Sequence, residues 1–351
     1  MLRHAHRMLA AASFALLVAA SAVAPAAATF PGTNGRITFM RFDEGGRFQV
    51  WAANPDMTGQ VQLTHGPDWD GWFPSWSPDG SRIAFSSSHE DPDPFGGEEI
   101  HDVYTMKADG SDIRLITDSR GYSGKPSWSP DGRWLVFDAD RGDYPASQGI
   151  YAIRSDGSGG LRRITSLPST SAWQELARFS PDGSRLLFDE VRGGTELRNR
   201  FEGRLVGEAA ALFTVGFNGS DLRQITPWGI HGGDGDWSPD GKQIVFSGQP
   251  SHQGNIGDVL VVNADGTHLK DLTDDVGFTG PAKDATVRYG ESFNAAWSPD
   301  GRTIVFVHAS YTAANGFHMG LQTMRPDGSG RAWLSEGEEH QPDWGPAPAA
   351  P

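Results

Sequence analysis

A motif that recurs five times constrains the fold of this chain more than any other feature of its sequence. Each copy consists of an aromatic residue, Ser-Pro-Asp-Gly and an apolar strand that ends in Phe. The copies begin at Trp76, Trp128, Phe179, Trp237 and Trp297. They follow one another at intervals of about 50 to 60 residues, which is the length of a four-stranded propeller blade with variable loops. The repeat therefore predicts an all-β propeller.

A second repeated signal supplies the other half of each blade. An Asp-Gly or Asn-Gly turn stands between two strand-like runs, and the second run ends near Thr, as in Asp109-Gly110 leading to Thr117. Asp and Asn bond their own backbone in such turns, and Gly accepts positive φ. Asp-Gly between two strand-like runs indicates a hairpin. Each repeat is thus interpreted as two hairpins, which give four antiparallel strands.

Counting these units predicts six blades. Residues 35–39 copy the strand that ends in Phe but lack a preceding aromatic strand, whereas residues 342–346 resemble the start of a repeat with no continuation. We expect the C-terminal strand to complete the blade formed by the N-terminal strands, because this closure leaves no long sheet edge exposed. The predicted propeller spans residues 29–346, and residues 347–351 form a short Pro/Ala tail.

The repeated residues also carry a family resemblance. The Trp-Ser-Pro-Asp-Gly units, and the Asp-Gly-Ser turns followed by Leu-Thr or Ile-Thr, as at Ile116-Thr117, resemble the WD40-like (PD40) repeat of the TolB β-propeller family. The resemblance covers almost all of residues 34–346. It implies a six-bladed propeller in the cell envelope or outside the cell. Similar propellers precede serine-peptidase domains and form sugar lyases, so the resemblance leaves the function open.

The N-terminus predicts export. A basic stretch, an apolar run over residues 8–24 and small residues before Thr29 have the layout of a secretory signal peptide, predicted here over residues 1–28. The chain has no Cys, so no disulfide stabilises the exported protein. Its formal net charge of −15 disfavours nucleic acid as a partner. We predict a secreted or periplasmic monomer with no membrane-spanning segment after cleavage.

Candidate functional residues lie near the starts of the inner strands, whose entry loops are expected to ring the mouth of the central channel. The ligand-binding candidates are polar or aromatic, namely Asp70, Trp72, Trp173, His231, Asp234, Glu291 and His340. Imidazoles and carboxylates suit a divalent cation, so His231, Asp234 and His340 are also candidate metal ligands. We expect His231 and His340 to approach each other, on the assumption that blades five and one are ring neighbours. Asp91 and Asp93, in an acidic loop, are further metal candidates.

Two functions of different classes fit these observations. The first is a non-catalytic module that binds a protein, peptide or glycan on its loop-rich face, and for this function the sequence specifies no cofactor. The alternative is a lyase or hydrolase that acts on a polysaccharide or lactone at the channel mouth with a divalent cation. A purely structural envelope protein is a third class. The sequence contains no Gly-x-Ser-x-Gly element, which excludes the nucleophile of an α/β-hydrolase.

Overall fold

The chain folds into six antiparallel sheets of four strands each in the part that a computed structural model describes. The described residues are 31–66, 68–89, 101–118, 121–141, 146–166, 172–192, 209–249, 257–273, 289–312 and 316–348. The predicted signal peptide and the candidates Asp91 and Asp93 lie outside these ranges. The six sheets are the blades of a propeller, as the repeats predict.

Each blade contributes one strand to each of four concentric layers. The inner strands are β4 (Gly71–Trp76), β8 (Tyr122–Trp128), β12 (Ala172–Phe179), β16 (Gly233–Trp237), β20 (Tyr289–Trp297) and β24 (His340–Pro346). The second strands are β1 (Asn34–Phe42), β5 (Arg82–Ser87), β9 (Trp134–Asp140), β13 (Arg185–Arg192), β17 (Gln243–Gly248) and β21 (Ile304–Thr312). The third strands are β2 (Phe48–Ala53), β6 (Asp102–Lys107), β10 (Gly149–Arg154), β14 (Ala209–Gly216), β18 (Asp258–Asn263) and β22 (Gly316–Met324).

The outer strands are short. Each has two residues, namely β3 (Val61–Gln62), β7 (Arg114–Leu115), β11 (Arg162–Arg163), β15 (Arg223–Gln224), β19 (Lys270–Asp271) and β23 (Ala332–Trp333). Such brief edges offer few unpaired backbone groups for a further strand to bond. A single 3-10 turn, Trp228–Ile230, precedes β16 among the described residues.

Ring closure occurs where the sequence predicts it. Strand β24 pairs antiparallel with β1, with Trp344 opposite Ile37 and Pro346 opposite Asn34. The indole Nε1 of Trp344 donates a hydrogen bond to the carbonyl of Gly35 at 3.2 Å. The inner strands contact one another in the order β24, β4, β8, β12, β16, β20 and back to β24. Blade one therefore consists of the C-terminal strand and the first three strands.

The repeated Phe and the repeated turn have separate structural roles. The Phe residues are fully buried between blades, namely Phe39, Phe85, Phe137, Phe188, Phe246 and Phe306. In the turn of blade three, Ser129 Oγ donates to Asp131 Oδ1 at 2.6 Å and accepts from the backbone N–H of Trp134 at 2.9 Å. Gly132 adopts a φ of +68° there, which L side chains rarely tolerate. These Ser and Asp residues thus form the turns and are satisfied within them.

The ring order corrects one expectation. Blades five and one are separated by blade six, because β20 of blade six contacts both β16 and β24. His231 and His340 therefore do not lie on neighbouring blades. Within the described ranges, no helix has the length and hydropathy to cross a membrane.

Candidate functional site

All six inner strands are interrupted by a bulge at the same place. The residue three positions before the aromatic residue has a positive φ in each strand, with values from 49° to 56°. We call these residues the αL ring; they are Phe73, Lys125, Leu176, Asp234, Asn294 and Gln341. A left-handed conformation costs a residue other than Gly about 1 to 3 kcal/mol and persists only where neighbours impose it. The fold thus places six different side chains at equivalent, strained positions around the channel.

In four of the six blades, the neighbouring blade holds the bulge through the residue that follows the buried Phe. The backbone N–H of Lys125 donates to Ser86 Oγ at 2.8 Å, and that of Asn294 donates to Ser247 Oγ at 2.9 Å. In blade four the acceptor is a carboxylate, because Asp234 N–H donates to Asp189 Oδ2 at 2.8 Å. One acceptor atom is sufficient for this contact between blades.

Below the αL ring, the Arg178 side chain crosses the channel. Its Nη1 donates to Asp343 Oδ1 of blade one at 3.2 Å, and its Nε lies 3.9 Å from Asp236 Oδ1 of blade five. Burial lowers the pKa of Arg178, but the two carboxylates outweigh burial and the net pKa is raised. Burial raises the pKa of Asp343, and Arg178 opposes that shift. The contact between Arg178 and Asp343 spans the channel and forms its floor.

Both carboxylates of the floor also contact the next blade. Oδ2 of Asp343 accepts from the backbone N–H of Trp76 at 2.8 Å, and Oδ2 of Asp236 accepts from that of Trp297 at 2.9 Å. The same carboxylate therefore binds a channel cation with one oxygen and a neighbouring inner strand with the other. This arrangement fixes the floor to the blades around it.

Above the floor, charged and amide side chains form the wall. Lys125 Nζ donates to Glu175 and lies 5.2 Å from the ring centroid of Phe73. Burial lowers the pKa of Lys125, but the charges of Glu175 and Asp138 raise it more. Asn294 Nδ2 donates to Asp234 Oδ2 at 2.9 Å, and Gln341 also bonds that carboxylate. The αL ring is thus linked side chain to side chain over blades five, six and one.

Asp189 and Asp234 share an unfavourable environment for negative charge. Burial raises the pKa of Asp189 well above its ordinary value, and the charges of Asp234 and Glu175 raise it further. Burial likewise raises the pKa of Asp234, with Lys125 and Arg178 opposing the shift. Oδ1 of Asp189 is buried with no hydrogen-bond partner among the described residues. The wall therefore contains one buried carboxyl oxygen that no described donor satisfies.

Three of the candidates named from the sequence lie apart from this wall. Asp70 accepts from the backbone N–H of Phe48 at 2.7 Å and from Arg47 at 3.0 Å, so it fastens the first hairpin of blade one. Trp72 is 6% exposed and stacks on His101, and Trp173 is 5% exposed and packs near Tyr122. Both indoles lie largely buried, between rings rather than on an open surface.

The remaining candidates occupy different levels of the mouth. Asp234 belongs to the αL ring. His231 ends the 3-10 turn with a φ of 46°, and Glu291 lies on β20 opposite Ala309. His340 starts β24 and meets the Phe48 ring edge to face, and burial lowers its pKa to about 4. The described residues contain no group of three His, Asp or Glu arranged to hold a metal ion.

The sequence reasoning missed most of the wall and floor, namely Lys125, Glu175, Leu176, Arg178, Asp189, Asn294 and Gln341. A signal was present. Every member of the αL ring stands three residues before the repeat aromatic, and the floor residues Arg178, Asp236 and Asp343 stand one residue before it. Aligning the repeats on that aromatic residue finds both sets.

These observations define a closed six-bladed β-propeller whose channel is crossed by an ion-pair floor beneath a ring of unlike side chains. A family model described as the TolB beta propeller domain (PD40) matches residues 21–204. The chain belongs to this TolB β-propeller family.

Two curated relatives illustrate the family. The chain is 29% identical over 218 residues to "Uncharacterized peptidase YuxL" of Bacillus subtilis, covering 55% of this chain and 30% of that protein. It is 30% identical over 200 residues to the Tol-Pal system protein TolB of Francisella tularensis subsp. holarctica, covering 56% of this chain and 40% of that protein. The chain spans only about a third to a half of the length of the curated relatives it matches.

Solved structures show the same fold. TolB from Acinetobacter baumannii superposes with a TM-score of 0.65 at 23% identity, over 91% of this chain and 69% of that chain. An oligogalacturonate lyase in complex with manganese superposes with a TM-score of 0.54 at 15% identity, over 87% of this chain and 74% of that chain. Likeness at this level of identity concerns the architecture alone, because one propeller fold hosts unrelated functions.

Proposed function

We propose that this protein is an exported, non-catalytic propeller that binds a protein, peptide or glycan partner at the channel mouth, in the periplasm or outside the cell. The observation that carries the proposal is the αL ring. Six positions with equivalent backbones carry six different side chains, whereas the opposite face repeats one Ser-Pro-Asp-Gly turn in five blades. Variation at one face of a rigid, repeated scaffold is typical of a binding surface.

The strained backbone of the αL ring also supports the channel mouth as the binding face. A Gly at the ring positions would adopt positive φ without a side-chain penalty, yet all six carry larger residues. Their side chains contact one another across blades, as Asn294 does with Asp234. Strained positions of this kind concentrate at ligand sites. The Arg178 floor beneath them gives a ligand one side of approach, from the mouth.

Selection of ligands from a random peptide library and from a glycan array tests the proposal. The probe variant is Leu176→Lys, on the αL ring of blade four, where Leu176 is partly exposed. The matched control is Ser184→Lys, on the turn face of the same blade, where Lys242 and Arg302 already occupy the equivalent positions. We expect Leu176→Lys to weaken binding of the selected ligands by about tenfold or more, as for loss of a central contact.

The control decides between the faces. The proposal is refuted if the selected ligands bind Leu176→Lys and the wild-type protein with equal affinity but bind Ser184→Lys more weakly. That outcome would place the function on the turn face. Failure to select any ligand of either kind would also count against it.

The lyase or hydrolase alternative makes a separate prediction. It requires a divalent cation, so metal analysis of the dialysed protein by mass spectrometry would find about one equivalent of metal per chain. The non-catalytic proposal predicts that no stoichiometric metal is retained. One equivalent, lost on substitution of His231 and His340 by Ala, would make the enzyme the better description.

A further inference from the structure

Comparison of equivalent positions in the six blades shows which part of the Asp189 side chain the fold uses. In four blades the residue after the buried Phe accepts the N–H of the next bulge, and Ser fills this role in blades two and five through Ser86 and Ser247. Blade four has Asp189 at the same position. The contact between blades needs one acceptor oxygen, and Asp189 supplies it with Oδ2. Its second oxygen and its charge are therefore surplus to the fold.

That second oxygen is in an unusual position. Asp189 is 3% exposed, and its Oδ1 has no hydrogen-bond partner in the described part of the chain. A buried carboxylate oxygen without a donor is costly and seldom persists in a native protein unless something else satisfies it. Asp189 accepts from the backbone N–H of Asp234 at 2.8 Å, and the charges of Asp234 and Glu175 act on its carboxyl. We call Glu175, Asp189 and Asp234 the carboxyl cluster.

The cluster is partly open to solvent and has one resident ammonium. Glu175 and Asp234 are half-buried, so the cluster can be reached from the mouth, whereas Gly233 of β16 packs closely against the Asp189 carboxylate. Lys125 lies at the edge of the cluster, where Glu175 and the nearby Asp138 already engage its charge. Among the described residues, Lys125 is thus the one lysine beside three carboxyl groups. Arg178, held by Asp343 and Asp236 in the floor, acts on Asp234 as well.

We propose that the carboxyl cluster binds the ammonium group of a lysine side chain that the partner inserts into the channel mouth. This inference rests on the proposed function and names the chemistry of its partner. A primary ammonium offers three donors on a compact charge, which suits acceptors distributed around a small space. A guanidinium favours two parallel acceptors of one group, whereas Asp189 presents a single unused oxygen.

A metal ion fits the cluster less well. Metals require ligand oxygens gathered at about 2 to 2.6 Å, and the described residues hold no group of three His, Asp or Glu in such an arrangement. Hydrogen bonds from an ammonium act at about 2.8 Å and tolerate separated acceptors. The geometry therefore favours an organic cation over a metal.

Titration calorimetry with three blocked amino acids tests the proposal on the full protein. The probes are N-acetyl-lysine methylamide, its norleucine analogue, which lacks the ammonium, and its arginine analogue. We expect the lysine probe to bind about tenfold or more tightly than either analogue, the effect of one charge-assisted hydrogen-bond set. Equal binding of the lysine and norleucine probes would overturn the proposal, and so would tighter binding of the arginine probe.

The matched variants are Asp189→Ser and Asp182→Asn. Asp189→Ser keeps an acceptor for the N–H of Asp234, as Ser86 and Ser247 do elsewhere, and removes the surplus oxygen and charge. It should abolish the preference for lysine while the thermal transition stays cooperative. Asp182→Asn changes a turn of the same blade on the opposite face and should leave the preference unchanged. Retained preference in Asp189→Ser, or Asp189-dependent calcium binding that displaces the lysine probe, would refute the lysine site.

These outcomes separate the two proposals. If the lysine probe fails while selected ligands remain sensitive to Leu176→Lys, the lysine site is wrong and the channel-mouth function stands. If the lysine probe binds while the Leu176→Lys substitution leaves the affinity of the selected ligands unchanged, the proposed partner surface at the channel mouth is wrong.

Discussion

Arg178 and Asp343 face each other across the central channel, with 3.2 Å between Nη1 of the guanidinium and Oδ1 of the carboxylate. Arg178 lies on the inner strand of blade four, and Asp343 lies on the inner strand of blade one, which is directly opposite in a ring of six. Asp343 also belongs to β24, the strand that closes the ring. The ion pair thus ties the closing strand to the far side of the propeller.

Substitution of Arg178 by Met should destabilise the protein by about 2 to 4 kcal/mol, because it leaves Asp343 and Asp236 charged and largely buried without their cation. Urea unfolding followed by tryptophan fluorescence measures the change. The control is Arg133→Met, which breaks an exposed pair with Asp131 on the turn face and should change stability by less than about 0.5 kcal/mol. Equal effects of the two variants would contradict the role given to the floor.

Asp189→Ser should alter the pH dependence of stability. A carboxyl whose pKa is raised by folding contributes stability below its unfolded pKa, and that contribution is lost as the pH rises through the folded pKa. The wild type should therefore lose stability relative to Asp189→Ser as the pH rises above about 4, the ordinary pKa of an Asp side chain. The charges of Asp234, Glu175 and Lys125 all act on the Asp189 carboxyl, the two carboxylates raising its pKa and the ammonium lowering it. Parallel curves of melting temperature against pH would show that Asp189 is not strained by its charge.

His340 should make the protein less stable as the pH falls, which is the opposite of the pH dependence expected from Asp189. Burial lowers its pKa to about 4, so protonation favours the unfolded chain. The stability that the neutral imidazole provides is present above its ordinary pKa of 6.5 and declines as the pH falls toward about 4. His340→Gln should flatten this decline, and melting curves at several pH values measure it. An unchanged slope in the variant would mean that the imidazole is solvated.

Removal of β24 should disrupt the whole ring. A chain that ends at Glu339 lacks Trp344, which is buried between blades and bonds Gly35, and it exposes one side of β1 and of β4. We expect a large drop in melting temperature and a broader, less cooperative transition in calorimetry. A chain that ends at Pro348 keeps the whole strand and serves as control. A sharp, unshifted transition after loss of β24 would show that closure contributes nothing.

The sequence was sufficient to predict the fold because each blade repeats the same local chemistry. The turn at Ser129, Asp131 and Gly132 is satisfied within a few residues, so its motif has the same meaning in every copy. The closure followed from counting, since a second strand at the N-terminus lacked an inner strand that the C-terminus supplied. Blade order was misjudged only where the contact between blades five and one was assumed.

The site was harder to predict because its residues meet through the ring rather than along the chain. Arg178 and Asp343 are 165 residues apart in sequence, and neither stands out in its own segment. Trp72 and Trp173 were named because aromatic residues near loops often stack on ligands, but both are packed against protein rings. Their burial depends on side chains from other strands, which no local pattern reveals.

The six residues of the αL ring describe the channel mouth compactly. From blade one to blade six these residues are Gln, Phe, Lys, Leu, Asp and Asn, and each stands three residues before the motif aromatic. Because neighbouring blades fix the backbone there, the side chain at one of these positions can change without altering the surrounding scaffold. The proposed channel-mouth function therefore predicts that propellers with this motif change ligand by single substitutions at these six positions, and that those with the same six residues share a partner.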